Sequence, residues 1–205
     1  RFAGFALERP LPPYALQRFD VWFQKHQRPT VPGERGTIYL WDDCFVRHNE
    51  PNIGQAAVQV LEAAGFTVEL LTQRACCGRP AFSTGRLDLA KSFGEKNLAL
   101  LAQSDAPIVF LESSCYSMFA EDYRELGLDG AEDVAARCTL FEHFMADLLQ
   151  REPDALTFKE GVMKTAIHGH CHAKALTNTG AMATLASAIP QNDVRLLETG
   201  CCGMA

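Results

Sequence analysis

Seven of the eight cysteines in this chain of 205 residues fall into an ordered pattern. Cys44 is followed by the vicinal pair Cys76-Cys77 with Gly78, and then by Cys115. Cys171 is followed by a second vicinal pair, Cys201-Cys202, with Gly203. Cys171 lies 127 positions after Cys44, and Cys201 and Cys202 each lie 125 positions after Cys76 and Cys77. That recurrence marks an internal duplication. Thiolates are soft metal ligands, and four of them converging can hold an iron-sulfur cubane whose potential is tuned by hydrogen bonds to its sulfurs. A glycine after each pair permits the positive φ and close approach that a turn around a cluster needs.

The remaining candidates are weaker. Cys138 belongs to neither copy and reads as a small apolar residue packed at the entry to a helix. His168, His170 and His172 flank Cys171 in alternation. Mixed sulfur and nitrogen donors keep a mononuclear zinc site open in the second copy. The plainer alternative is strand-end histidines that hydrogen-bond a cluster sulfur or solvent. Arg74, Arg79 and Lys174 sit beside the cysteine turns, where they either offset the charge of a thiolate-ligated cluster or form a solvated rim. Asp42 and Asp43 precede Cys44 without an evident partner for acid-base work, so no residue is assigned a catalytic role.

Cysteines so far apart need a scaffold that gathers them, and the hydrophobic pattern supplies one. A Pro-rich entry segment (1–36) carries one amphipathic helix over residues 14–27, with Leu16, Phe19, Trp22 and Phe23 at helical spacing. Strands are expected at 37–41, 66–71, 107–111, 162–168 and 193–197. Helices are expected with Ile53, Ala56, Ala57, Val60, Leu61 and Ala64 on one face, and over 86–103, 116–126, 140–149 and 174–189. Helices joining successive strands imply an α/β fold with parallel sheets and right-handed crossovers, here as two pseudo-symmetric Rossmann-like βα repeats over 37–150 and 151–205. In such a fold the loops at the carboxyl ends of the strands share one edge, where N–H groups favour anionic ligands. All seven patterned cysteines fall in those loops.

Composition excludes other classes. With 47% hydrophobic and 21% charged residues the chain is globular, and a net charge of -6 with no basic cluster argues against a nucleic-acid partner. No apolar run approaches the roughly 20 residues of a membrane span, and no signal-peptide pattern is visible. Cysteines in a well-packed chain without such a signal point to a reducing compartment. The chain starts at Arg1 and stops just after Cys-Cys-Gly-Met, which reads as a piece cut from a longer polypeptide.

Cys44, Cys76-Cys77-Gly78 and Cys115, repeated at Cys171 and Cys201-Cys202-Gly203, resemble the duplicated CCG (cysteine-rich) domain family. That family includes the B subunit of heterodisulfide reductase and the iron-sulfur subunit of glycolate oxidase. The segments Ser114-Cys115-Tyr116-Ser117-Met118-Phe119 and His170-Cys171-His172-Ala173-Lys174-Ala175-Leu176, with residues 200–205, look closest to the C-terminal part of fused FAD-linked D-2-hydroxyacid dehydrogenases of the D-2-hydroxyglutarate or D-lactate type. The resemblance implies a cytoplasmic electron-transfer module, or one peripheral at the inner face of the membrane. It would hold a [4Fe-4S] cluster on Cys44, Cys76, Cys77 and Cys115, with Cys171, Cys201 and Cys202 as the second set. FAD would lie on upstream sequence, the flavin domain would be the partner, and a quinone or redox protein the acceptor; the fragment alone would not be catalytic. Two departures stand out. The family motif ends in Cys-x-x-Cys, whereas Met118 occupies the last position here, which favours a cubane over a five-cysteine cluster. The second copy shows three cysteines before the chain ends. A structural zinc module and thiol-disulfide chemistry at the vicinal pairs are the alternatives.

Overall fold

The structure, a computed structural model, describes residues 12–29 and 33–200. Four strands form one parallel sheet in the order β2-β1-β3-β4: β1 (Thr37–Trp41), β2 (Thr67–Leu70), β3 (Ile108–Phe110) and β4 (Cys138–Leu140). Every residue of β3 is buried, as expected of a central strand covered on both faces. Alternation divides it between two cores. Val109 joins Ile38, Leu40 and Val68 against Phe19, Val58, Leu61 and Met145, while Ile108 and Phe110 join Trp41 and Leu140 against Leu98, Leu101, Phe119 and Tyr123.

The helices that supply these cores are the crossovers. Helix α1 (Phe19–Lys25) buries Phe19 and Phe23, one turn apart. Then come α2 (Cys44–His48) and α3 (Pro51–Ala63) between β1 and β2, and α4 (Arg79–Ser83) and α5 (Leu87–Leu101) between β2 and β3. After β3 the chain forms α6 (Ser113–Ser117), a π-helical turn (Met118–Asp122), α7 (Tyr123–Glu125) and α8 (Ala131–Ala135). Helix α9 (Phe141–Arg151) follows β4. The second repeat pairs β5 (Met163–Ile167) with β6 (Asn192–Leu196) in parallel, joined through α10 (Cys171–Leu176) and α11 (Gly180–Ser187). The α/β class with parallel, Rossmann-like repeats is thus borne out.

Several expected elements differ. The entry helix is only seven residues long, because the stretch before it is tied to α2 instead of coiling: Ala15 donates to the His48 carbonyl at 2.8 Å and the Asn49 amide to that of Pro13 at 2.8 Å. On α3 the buried face is Gly54, Ala57, Val58 and Leu61, and Ile53 is exposed. The helix expected over 116–126 begins three residues earlier, where the Glu112 side chain caps it. The helix expected over 174–189 is two helices, broken at Thr177, which is extended, and Asn178, whose side chain accepts from the Gly180 N–H at 2.9 Å; such local side-chain bonds compete with the helix ladder. β4, three residues long, is too short for any period to reveal.

Two expectations follow from the packing. A Cβ on Gly54 would lie 2.6 Å from Val46 Cγ1 and 2.7 Å from Phe19 Cε2. Gly54→Ala should therefore lower the melting temperature, against the gain of about 1 kcal/mol that helix propensity alone would give; thermal unfolding followed by circular dichroism decides the sign. Glu142, in the first turn of α9, faces an apolar groove lined by Leu140, Phe141, Ile167, Met182 and Leu185, and burial pushes its carboxyl up. The folded state then holds this proton more tightly than the unfolded state, so Glu142 subtracts stability as pH rises through the interval between the two pKa values. Glu142→Gln should stabilise the protein at neutral pH and lose that advantage in acid, measurable as denaturation midpoints at pH 4 and pH 7.5.

Candidate metal centre

Two of the three first-repeat cysteine loops are shaped by a side-chain cap and the third by a glycine turn. The chain turns out of β1 at Asp42-Asp43, and the Asp43 carboxylate caps α2 by accepting from the N–H groups of Phe45 (2.8 Å) and Val46 (3.1 Å), which sets Cys44 in the first turn. Burial pushes the Asp43 carboxyl up despite those bonds. After β2, Cys76 and Cys77 form the turn that ends at Gly78, whose φ of 89° leads into α4. The positive φ read from the sequence is thus present, and a Cβ there would sit 3.4 Å from the backbone of Ala90. After β3, Glu112 caps α6 by accepting from the Cys115 N–H at 2.9 Å and from Ser114 Oγ at 2.8 Å.

The three loops bring four thiols to one edge. Cys44 and Cys76 are exposed, Cys77 and Cys115 buried, and the sulfurs of the last two are 3.2 Å apart. All four thiols are pushed up. Cys76 is raised by its contact with Cys77 and by burial, Cys77 by its contact with Cys115, and Cys44 by burial and then by Asp43. At Cys115 the Cys77 contact pulls down, but burial with Glu112 and Asp43 overrides it. Such thiols stay protonated at neutral pH until a metal displaces the proton.

Buried polar side chains lock these loops. Asn97, on the buried face of α5, accepts from the Ala75 N–H (2.9 Å) and donates to the Cys76 carbonyl (3.0 Å) and to Tyr123 Oη (3.3 Å), while Tyr123 donates to the Cys77 carbonyl at 2.7 Å. Asp42, fully buried, accepts from Arg47 (2.6 and 2.9 Å) and from Arg74 (2.8 Å), whose guanidinium lies over the Trp41 ring. Arg79 donates to Asp122 (2.5 Å), to Met118 Sδ (3.8 Å) and to His172 Nε2 (2.7 Å). Arg74 and Arg79 are therefore paired network members and not a solvated rim, and Asp42 and Asp43 have the partners the sequence left unseen. Lys174 does lie at the exposed rim, donating to the Thr199 carbonyl at 2.5 Å.

In the second repeat Cys171 opens α10, with His170 as its cap: His170 Nδ1 accepts from the His172 N–H at 3.2 Å. Ligand atoms of His170, Cys171 and His172 lie within 4.8 Å of one another, the one such trio among the described residues. His170 Nε2 is 3.9 Å from Glu112, so this loop rests on the loop of Cys115. His172 is lowered by burial and then by Arg79 and His170, and His168 bonds the Gly200 carbonyl at 3.0 Å. Cys201 and Cys202 lie outside the described residues. Cys138 begins the short β4 that leads into α9 and packs against the core, as read from the sequence; its Sγ donates to the Val134 carbonyl at 3.2 Å, and burial pushes it up to about 12.

The donor set fits an iron-sulfur cluster. Four cysteine thiols at one sheet edge match the four-cysteine ligand set by which proteins hold iron-sulfur clusters. N–H donors for anionic sulfur are in place, with Gly78 N 3.5 Å from Cys76 Sγ and Arg79 N facing Cys77.

Comparison with known proteins agrees with this chemistry. Residues 38–120, which contain all four first-repeat cysteines, match the family model described as CCG, cysteine-rich domain. Lactate utilization protein A of Bacillus thuringiensis (strain Al Hakam) is 31% identical over 175 residues, 81% of this chain and 71% of that protein. The chain belongs to the CCG cysteine-rich domain family. Two other relatives are a subunit of the anaerobic glycerol-3-phosphate dehydrogenase of Escherichia coli (strain K12), 26% identical over 204 residues covering 96% of this chain, and an uncharacterized iron-sulfur protein of Methanocaldococcus jannaschii, 26% identical over 172 residues covering 83%. The CCG chain spans 50% of the former and 32% of the latter.

Asn97, Tyr123 and Glu112 were not singled out from the sequence. The signal that could have found them was Asn97 itself, a polar residue in the apolar stripe of Ala90, Gly94, Leu98 and Leu101. Tyr123→Phe removes the bond to Cys77 and one partner of Asn97, and should cost about 1–2 kcal/mol in chemical denaturation. The metal-free variant should also alkylate faster at Cys76 and Cys77 than wild type, measured by mass spectrometry after timed iodoacetamide treatment.

Proposed function

We propose that this CCG chain is the iron-sulfur electron-transfer module of an FAD-linked 2-hydroxyacid dehydrogenase or oxidase. In this reading Cys44, Cys76, Cys77 and Cys115 hold a [4Fe-4S] cluster, and Cys171 with Cys201 and Cys202 forms the second set. The observation that carries it is the gathering of four thiols at one sheet edge by three separate loops. The names of the relatives, an iron-sulfur protein and a dehydrogenase subunit, favour the same assignment. A bound cluster would supply one-electron transfer, matching the two-electron output of a flavin to a one-electron path.

The chain's own residues would prepare that chemistry. Asn97 and Tyr123 hold the Cys76-Cys77 turn through its carbonyls, which leaves both sulfurs to metal. The paired Arg74 and Arg79 place positive charge beside a thiolate-rich site, and exposed Cys44 and Cys76 give electrons a route out. The flavin would belong to another part of the polypeptide or to a partner subunit, and the acceptor would be a quinone or a redox protein. No helix among the described residues is long and apolar enough to cross a membrane, in keeping with a cytoplasmic or peripheral location. Direct thiol-disulfide catalysis is disfavoured, since thiols pushed up in pKa are poor nucleophiles at neutral pH.

One observation favours a second reading for the second repeat alone: the His170, Cys171 and His172 ligand atoms lie close enough together for a single zinc ion. Analysis of iron, acid-labile sulfide and zinc in anaerobically prepared protein separates the two. About four irons and four sulfides per cluster are expected, with a reduced-state EPR signal lost in Cys77→Ser and retained in Cys138→Ser. Zinc without iron would overturn the electron-transfer reading.

A further inference from the structure

One cavity is walled by both repeats. It encloses about 490 Å³, within the range of about 300–1,000 Å³ of sites that take small organic ligands. Leu111, Leu140 and Phe141 of the first repeat line it together with Ile167, Met182 and Leu185 of the second, and α11 packs on α9 where the two repeats join. The polar side chains in this apolar lining are Ser113, Glu142, His168 and His170. Two of them belong to the cysteine loops, Ser113 two residues before Cys115 and His170 immediately before Cys171. The wall of the cavity and the rim of thiols are therefore made by the same stretches of chain.

The polar groups form a pattern of their own. His170 Nδ1 accepts from the His172 N–H at 3.2 Å, so a neutral ring carries its proton on Nε2 and donates there. The Glu112 carboxylate, 3.9 Å from that nitrogen, is beyond hydrogen-bond reach. His168 Nε2 donates to the Gly200 carbonyl at 3.0 Å, which leaves its Nδ1 as an acceptor. Glu142 has its carboxyl pushed up by burial and so keeps a proton to donate. No Lys or Arg lines the cavity among the described residues, so a carboxylate substrate would lack a counter-charge there. An apolar slot with N–H and O–H donors suits a flat, uncharged ring whose polar atoms are carbonyl oxygens.

Resting on the electron-transfer reading above, we infer that this inter-repeat cavity binds the electron acceptor and that the acceptor is a quinone. A redox protein would dock on an open surface instead of entering a slot of this size. The His170 N–H holds one carbonyl oxygen and so sets the ring beside the cysteine loops. Two electrons reach the quinone one at a time from the iron-bound centre, which the flavin has reduced. Both C=O bonds become C–O–H as two protons are taken up, one from the Glu142 carboxyl, which water reprotonates, and one from solvent.

The test reads binding apart from electron transfer. The probe is tetramethyl-benzoquinone, whose blocked ring carbons do not alkylate thiols. Added to the metal-free chain carrying 13C-methyl methionine, it should shift the Met182 methyl resonance saturably and leave that of fully buried Met145 in place. Decanol, apolar but without ring carbonyls, should not reproduce the shift; an equal shift with decanol, or none with the quinone, would overturn the proposal. Leu185→Trp fills the slot and should weaken quinone binding by about tenfold or more, while the wild-type titration stands whether or not that variant folds. In the iron-loaded, reduced chain mixed anaerobically with the same quinone, oxidation of the centre should saturate at the concentration that saturates the Met182 shift. A rate that rises without limit would overturn the acceptor role. Iron uptake without a Met182 shift would sink this proposal alone, and wild-type protein that takes up no iron would sink the electron-transfer reading and the acceptor role with it.

Discussion

A carboxylate with no access to water must be neutralised by the protein around it, and Asp42 is such a group. It sits where β1 ends, and its two partners come from different places: Arg47 from the helix that carries Cys44, and Arg74 from the loop that carries Cys76 and Cys77. Removing Asp42 would leave the nearly buried Arg74 guanidinium without its counter-charge and facing Arg47, so the geometry is steeply defined. The first two cysteine loops are thereby fixed to each other and to the sheet before any metal is considered. Trp41, one residue earlier, is held under the same Arg74, which extends the constraint into the core beneath Cys115.

Electrostatic pairing at the rim has a counterpart below it in neutral hydrogen bonds. Asn97 and Tyr123 satisfy backbone groups of the Cys-Cys turn from underneath, where a carbonyl without a donor would be costly. The outcome is a turn whose two cysteine carbonyls are both taken by side-chain donors. Such support suits a centre in which the protein supplies position and potential while the inorganic part supplies the electron.

Duplication adds a second level. The His170-Cys171-His172 loop does not stand apart from the first site; it rests on Glu112 through His170 and on Arg79 through His172. Both first-repeat residues flank cysteines, Arg79 two positions after Cys77 and Glu112 three before Cys115. The two rims therefore meet through side chains that belong to neither cysteine set.

What the sequence determined by itself was the α/β class with parallel strands and the strand ends after which Cys44, Cys76, Cys77, Cys115 and Cys171 follow. Their common cause is local: apolar runs of strand length, periodic helices and a Cys-Cys-Gly triplet are written within a few residues of one another. β1 is legible to the residue for this reason, and Gly78 because its positive φ is a property of that one backbone position. What tertiary structure decided depends on partners far apart in the chain. Asp42 looked solitary because Arg74 is 32 residues away, Tyr123 reads as ordinary core until it meets the Cys77 carbonyl 46 residues earlier, and the second-repeat helix breaks at Asn178 against the apolar pattern. β4 exists only because the edge of β3 is there to pair with it. Such contacts have no period and no motif, since they arise from packing two faces of a sheet at once, and only the folded chain brings their members together.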